Sequence, residues 1–241
     1  MSEGRPAALV TGSAKGVGRA ILLGLAASGY DVAVHYRSSE QEARTVQERA
    51  RAAGANAALL RADVTVEAEA RALVDEAHRS FGRLDVLVNN VGNYHQGPLD
   101  ELTSESWHEM FASNLDATFY TCQQALPYLR SAPGGGRIVN IGYAGAEQLK
   151  ARPSIVAYGI AKTGVILFSK ALAMVEADNG VTVNVVSPGV MENSVSQPLK
   201  EIPMGRLGRL DELAAAVKYL VSPGAAYVTG VTLEVAGGWN V

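Results

Sequence analysis

Short, nearly continuous apolar runs alternate with longer amphipathic stretches along the whole chain. The runs predict strands at Ala7–Thr11, Asp31–His35, Ala57–Arg61, Leu84–Asn89, Arg137–Ile141, Thr182–Val186 and Thr232–Val235. AALV, LDVLV, RIVNI and TVNVV lack the apolar–polar alternation of a sheet with one wet face. Strands covered by helices on both sides read this way, so the pattern predicts a parallel sheet. Helical periodicity covers Gly18–Ser28, Glu40–Ala53, Val66–Phe81, Ser104–Arg130, Ala157–Asp178 and Leu210–Leu220, with Ser104 as the candidate cap of the longest. Gly29, Gly54 and Gly82 each follow a helix, and PGGG at 133–136 precedes a strand. Such alternation predicts a doubly wound α/β fold with right-handed crossovers. No repeat or linker divides the chain, so residues 1–241 form one domain. The segment Gly189–Leu207 holds two prolines and is expected to be a substrate loop, offering Met191, Val195, Leu199 and Ile202 as apolar surface.

Composition narrows the function. Hydrophobic residues make up 48% and charged residues 19%, a globular balance. A net charge of −3 leaves no electrostatic footprint for nucleic acid or an anionic membrane. The single cysteine, Cys122, excludes an internal disulfide and a cysteine-built zinc site. No His/Asp/Glu spacing suggests another metal site. The apolar run before Thr11 is too short for a secretory signal, and no apolar stretch approaches the ~20 residues of a membrane span. These features predict a cytoplasmic protein.

The first strand runs into Thr11-Gly12-Ser13-Ala14-Lys15-Gly16-Val17-Gly18. Glycines between a buried strand and an amphipathic helix permit tight turning and close approach of a pyrophosphate, which the free N–H groups of the helix then meet. A plain structural turn is the alternative. The second strand ends in His35-Tyr36-Arg37-Ser38-Ser39. An NAD-selective site carries an acid here, about 20 residues past the glycines, to hold the ribose diol. Arg37 with Ser38, and Lys15 in the loop, suit a 2′-phosphate instead, which points to NADP(H). Otherwise Arg37 is a solvated residue at a helix entry.

Tyr158 and Lys162 lie one helical turn apart in YGIAK and share a face. A phenol's ordinary pKa is ~10, and a cation at ~4 Å is large enough to bring it near 7. The pair can therefore serve as a proton donor to a developing alkoxide. Alone, such pairs are more often surface decoration.

Together with Asp63-Val64 after the third strand, Asn89-Asn90-Val91-Gly92 after the fourth, Asn114 in the long helix and Pro188-Gly189 after the sixth, these motifs resemble the short-chain dehydrogenase/reductase family over essentially the whole chain. The likeness is greatest to 3-oxoacyl-acyl-carrier-protein reductases, and HYRSS is similar to pteridine reductases. It implies a single-domain Rossmann fold with a seven-stranded parallel sheet in the order 3-2-1-4-5-6-7. It also implies that Gly12, Gly16 and Gly18, with Ser13 and Val17 in the same loop, line the diphosphate. Asp63 and Val64 then meet the adenine, and Asn90 and Gly92 edge the adenosine side. Pro188, Gly189, Val190 and Asn193 face the nicotinamide. Tyr158 is implied as general acid, Lys162 as the ribose-binding residue that lowers the phenol's pKa, and Asn114 as a helix kink that places a water. A buried amide capping its own helix is the plainer account of Asn114. The resemblance further implies a homotetramer, or a dimer, built on the two longest helices and the apolar ending Val235-Ala-Gly-Gly-Trp239.

One position departs from the family pattern. A Ser that donates to the substrate oxygen is expected after the fifth strand, where the chain reads Ile141-Gly142-Tyr143. The interval from Tyr143 to Tyr158 is 15 residues, longer than the family's usual one, which suggests an insertion near Glu147–Arg152. The Tyr143 hydroxyl is the candidate replacement; stacking on a planar substrate, or loss of activity, are the alternatives. Ser154 has no obvious route to the carbonyl. Tyr94 and His95 are candidates for the pocket mouth, His95 being otherwise a surface residue. Three readings follow: an NADPH-dependent reductase of a small-molecule carbonyl, a reductase of a pterin-type C=N bond, or a silent NADP-binding sensor.

Overall fold

The computed structural model describes residues 4–240. Seven strands, β1 (Ala7–Val10), β2 (Asp31–Tyr36), β3 (Ala57–Arg61), β4 (Val86–Asn89), β5 (Arg137–Ile141), β6 (Thr182–Pro188) and β7 (Thr232–Val235), form one sheet in the order β3-β2-β1-β4-β5-β6-β7. Every pairing is parallel. β1, β2, β4 and β5 are buried throughout and so need no polar face. Helices α1 (Gly16–Ala27), α2 (Glu40–Ala52) and α7 (Leu210–Val221) cover one face, and α3 (Glu67–Phe81), α5 (Ala117–Arg130) and α6 (Val156–Glu176) the other. The order reverses between β1 and β4, so the strand ends open a crevice there, where such sheets bind ligands.

The long helix expected over Ser104–Arg130 is divided. It opens as α4 (Ser104–Phe111), capped not by Ser104 but by Thr103, whose Oγ1 accepts from the Ser106 N–H at 3.1 Å. A π-helical turn, Ala112–Asp116, then separates α4 from α5. Asn114 sits inside that turn, fully buried. Such bulges interrupt the regular ladder and commonly mark functional sites. Pro127 does not end α5, which runs on to Arg130.

Behind the crevice a buried polar chain ties helices to strands. Thr121 Oγ1 donates to Asn89 Oδ1 (2.7 Å), Asn89 Nδ2 to Asn140 Oδ1 (2.9 Å), and Asn140 Nδ2 to Ser169 Oγ (2.8 Å). Each polar group is satisfied, so the chain fixes α5 and α6 against β4 and β5 without a desolvation penalty. Against the sequence expectation, one helical run, Pro153–Asn179, is long and apolar enough by length and composition alone to cross a membrane. Its apolarity has two faces. One packs on the sheet through Ile166 and Ala173, and the other turns Leu167 (70% exposed) and Met174 (84%) outward.

Candidate active site

The glycine loop is held from behind. Gly12 and Gly16 have φ of +63° and +52°, the left-handed region where a side chain is strained. Gly12 N–H donates to His35 Nδ1 at 2.8 Å, while Nε2 lies 3.1 Å from the Ala62 carbonyl. An acceptor at Nδ1 requires the proton on Nε2, so the ring is neutral, and burial pushes its pKa down to about 4. Ser13 Oγ accepts from the His35 N–H at 3.0 Å, and Asn90 Nδ2 donates to the carbonyls of Thr11 (3.0 Å) and Gly12 (3.3 Å). A methyl on Gly18 would overlap the Gly12 carbonyl. Ser13, Gly18 and Asn90 therefore shape the loop from its protein side, where the sequence reading had them lining the diphosphate or adenosine. The third glycine is needed because helix and loop touch backbone to backbone.

In front of the loop lies a cleft of about 220 Å³ whose walls include Gly12, Lys15, Arg37, Ser38, Asp63 and Val64. Arg37 Nη1 is 3.4 Å from Asp63 Oδ2, and Lys15 Nζ is 2.7 Å from Glu42 Oε1. Partial burial would raise the Asp63 pKa, but hydrogen bonds from Thr65 and the Arg37 charge hold it below the usual carboxylate range. Both cations are themselves exposed and line the cleft, so these are weak pairs that an incoming anion can replace. The first turn of α1 carries no acidic residue, so its free N–H groups and positive dipole end face the same space.

Past the loop opens a cavity of about 700 Å³. Val17, Pro188, Gly189, Val190 and Asn193 line its inner end, and a methyl on Gly16 would lie 3.0 Å from Asn193 Nδ2. Tyr158, the third residue of α6, lines the cavity, as does Ser154 one turn before it. Ser154 is therefore nearer the substrate space than the sequence suggested, because the single turn Pro153–Ile155 rotates it onto the Tyr158 face. Tyr94 meets Tyr158 edge-on at 5.0 Å between ring centroids, and Tyr143 does so at 5.6 Å. His95 is not on the wall; its neighbour Tyr94 takes that place.

Lys162 is buried, and burial pushes its pKa down to about 8. Its Nζ donates to the Ile141 carbonyl at 2.7 Å and lies 5.9 Å from the Tyr158 ring centroid. The two side chains are neighbours on α6, but only Tyr158 lines the cavity. The expected lowering of the phenol by the ammonium is not what this geometry gives, because the open carbonyl at the end of β5 takes the ammonium. Burial, with Tyr143 and Tyr94 adding to it, instead holds the Tyr158 phenol well above its ordinary pKa. Asn114 Nδ2 donates to the carbonyls of Asn93 and Met110 at 3.0 Å each. Its Oδ1 is buried with no partner and points at Gly92, beside which Lys162 Nζ also lies. An orphaned acceptor next to an ammonium is a place for a bridging water.

Two wall residues carried no signal as site residues in the sequence. Trp239, in the tail that the resemblance assigns to oligomer formation, lies 6.2 Å from Tyr143 between centroids and lines the cavity. Arg152 places its guanidinium 5.5 Å from the Tyr143 ring centroid. The loop expected to cover the substrate is pinned at its base by a Met191–Gly208 bridge. Met191 and Ile202 turn into the protein, whereas Val195 is 98% exposed.

A sequence model of the family described as enoyl-(acyl carrier protein) reductase matches residues 12–240. The chain belongs to the short-chain dehydrogenase/reductase family. It is 37% identical over 240 residues to the 3-oxoacyl-[acyl-carrier-protein] reductase FabG of Staphylococcus aureus, covering 96% of each chain. Against glucose 1-dehydrogenase 2 of Bacillus subtilis the identity is 36% over 245 residues, covering 97% of this chain and 94% of the other. Its fold superposes on a blue fluorescent protein from a metagenomic library, solved in complex with NADPH, with a TM-score of 0.92, 33% identity and 99% of each chain covered. The protein is an oxidoreductase of the CH–OH/C=O type that uses a nicotinamide cofactor. The residues present fit such a group: two left-handed glycines that leave the loop open, an acid-free helix N-terminus and two replaceable cation pairs lie along one crevice.

Proposed function

We propose that this protein is an NADPH-dependent reductase of a small-molecule carbonyl compound, with the Tyr158 phenol as proton donor. The observation that carries the reading is the position of the Tyr158 phenol, on the wall of a cavity that continues from the glycine loop. A phenol is protonated at neutral pH and can donate to the alkoxide that forms as hydride reaches a carbonyl carbon.

The bound cofactor supplies the hydride. Gly12, Gly16, Val17 and the α1 N-terminus hold its diphosphate, and Arg37, Ser38 and Lys15 its 2′-phosphate. Asp63 and Val64 meet the adenine and Gly92 the adenosine side. Pro188, Gly189, Val190 and Asn193 meet the nicotinamide end. Lys162, a buried cation beside Tyr158, serves the ribose. Asn114 Oδ1 and Lys162 hold the water that returns a proton toward the phenol. Tyr143 donates to the carbonyl oxygen in place of the family's Ser; Gly142 supports this, since only a glycine lets the end of β5 draw in against Ser187.

The location we propose is cytoplasmic, where reduced pyridine nucleotide is maintained. The assembly we propose is a homotetramer or dimer through α5 and α6, supported by the outward Leu167, Met174 and Phe119; elution as a monomer would refute it.

The test is NADPH consumption on a panel of small ketones, 3-oxoacyl thioesters and dihydropterins. Turnover on a ketone or thioester that Y158F abolishes, with NADPH still bound, is expected. Turnover on dihydropterins alone favours a C=N substrate, and binding without any turnover favours a sensor. Losing an oxyanion donor costs roughly 10²–10³ in rate, so Y143F should fall by that much and S154A should not. Unchanged Y143F turnover removes the donor role.

A further inference from the structure

The cavity holds a cation that the reading above leaves without work. Arg152 reaches the wall from the segment between β5 and α6, where its guanidinium lies over the face of Tyr143. Gly145 makes room for it: at φ +83°, a side chain there would lie 3.1 Å from Arg152 Nη2. Among the described residues Arg152 has no ion pair and no hydrogen bond from its guanidinium, whereas Arg130, Arg206 and Arg209 each hold a carboxylate. Glu201, the acid on the cavity wall, is out of ion-pair reach. A guanidinium that rests on an aromatic ring uses its flat face there and keeps the N–H fork around its edge free. That fork matches a carboxylate.

The other walls define the rest of the ligand. Tyr94 and Tyr143 each meet Tyr158 edge-on, at 79° and 69°, and Trp239 meets Tyr143 at 75°, which surrounds the space beside Tyr158 with aromatic surface. Such surfaces take a planar ring by stacking or edge contact. Arg152 is one aromatic ring removed from Tyr158.

We propose that the substrate is a carbonyl compound on a flat ring with a carboxylate at the ring's far side, and that Arg152 selects it. This rests on Tyr158 marking the reacting end of the cavity. A guanidinium already seated on a ring, with no protein partner to give up, loses little side-chain freedom on meeting the carboxylate.

The experiment compares para-acetylbenzoate with its methyl ester, binding to the NADPH-loaded protein by calorimetry. The carboxylate is expected to bind roughly tenfold or more tightly than the ester, the range of a hydrogen-bonded charge. That ratio should fall to near one in R152Q and be partly kept in R152K. Equal binding of the two compounds to the unaltered protein, no binding of either, or a ratio that survives R152Q overturns the proposal. An equal loss for both compounds in R152Q, with the ratio kept, would make Arg152 a structural clasp. Hydride transfer is followed in the same samples. Charge-selective binding with no transfer and no effect of Y158F would sink the Tyr158 reading while leaving the Arg152 assignment standing.

Discussion

Replacing Gly92 by Ala tests the arrangement of Asn114 and Lys162 with a single methyl group. Gly92 does not have a left-handed φ, so the backbone itself accepts alanine. The new methyl would overlap Asn114 Oδ1, and it would lie 3.1 Å from Asn114 Cγ and 3.3 Å from Lys162 Nζ. Asn114 cannot turn away freely, because its Nδ2 is bound to the Asn93 and Met110 carbonyls within the π-helical turn. Overpacking of this kind costs about 1–3 kcal/mol, and a strained or broken buried hydrogen bond adds about 1 kcal/mol. A loss near 3 kcal/mol lowers Tm by roughly 6–12 °C in a chain of this size. Turnover should suffer more than stability: a displacement of about 1 Å in a positioned group can cost ~10²-fold. Calorimetric Tm and kcat on the best substrate of the panel read both effects. In an N114A background the methyl enters vacated space, so its stability penalty should shrink by most of that amount, a coupling that a double-mutant cycle isolates. A penalty that persists unchanged in N114A would refute the account, as would wild-type kcat in G92A.

Two further outcomes follow from the cofactor end. His35 is held neutral with its pKa down at about 4, against ~6.5 when unfolded. Between those values the unfolded chain binds the extra proton, so stability should be full above about pH 6.5 and fall by about 3 kcal/mol as pH drops through 4. Urea midpoints at the two ends of that window measure the slope. His35→Asn keeps an acceptor and a donor without titrating and should flatten it; an equal slope in that variant would show that other groups set the acid lability. Arg37→Ala should weaken NADPH binding roughly tenfold and leave NADH binding unchanged, read by fluorescence titration of each. Equal losses for both cofactors would place the 2′-phosphate elsewhere.

What the chain alone determined is what repeats over short distances. The apolar runs are local, and so the seven strands, and the burial of the central ones on both faces, could be read from them. The four-residue step from Tyr158 to Lys162 is likewise local geometry, and it made the two side chains neighbours on α6, though only Tyr158 lines the cavity. Partner choice was not local. The Lys162 ammonium meets the Ile141 carbonyl, 21 residues away, instead of the phenol, because a strand end leaves that carbonyl open inside the protein. The π-helical turn at Asn114 leaves no mark in the hydrophobic pattern, since one added residue in a turn barely disturbs the helical period. His35 looked like part of a strand end and acts as the brace of the glycine loop, and Trp239 meets Tyr143 across 96 positions. Contacts of that range exist only once the sheet has brought its strand ends together. Which proton stays, and which charge waits unpaired in the cavity, were decided there.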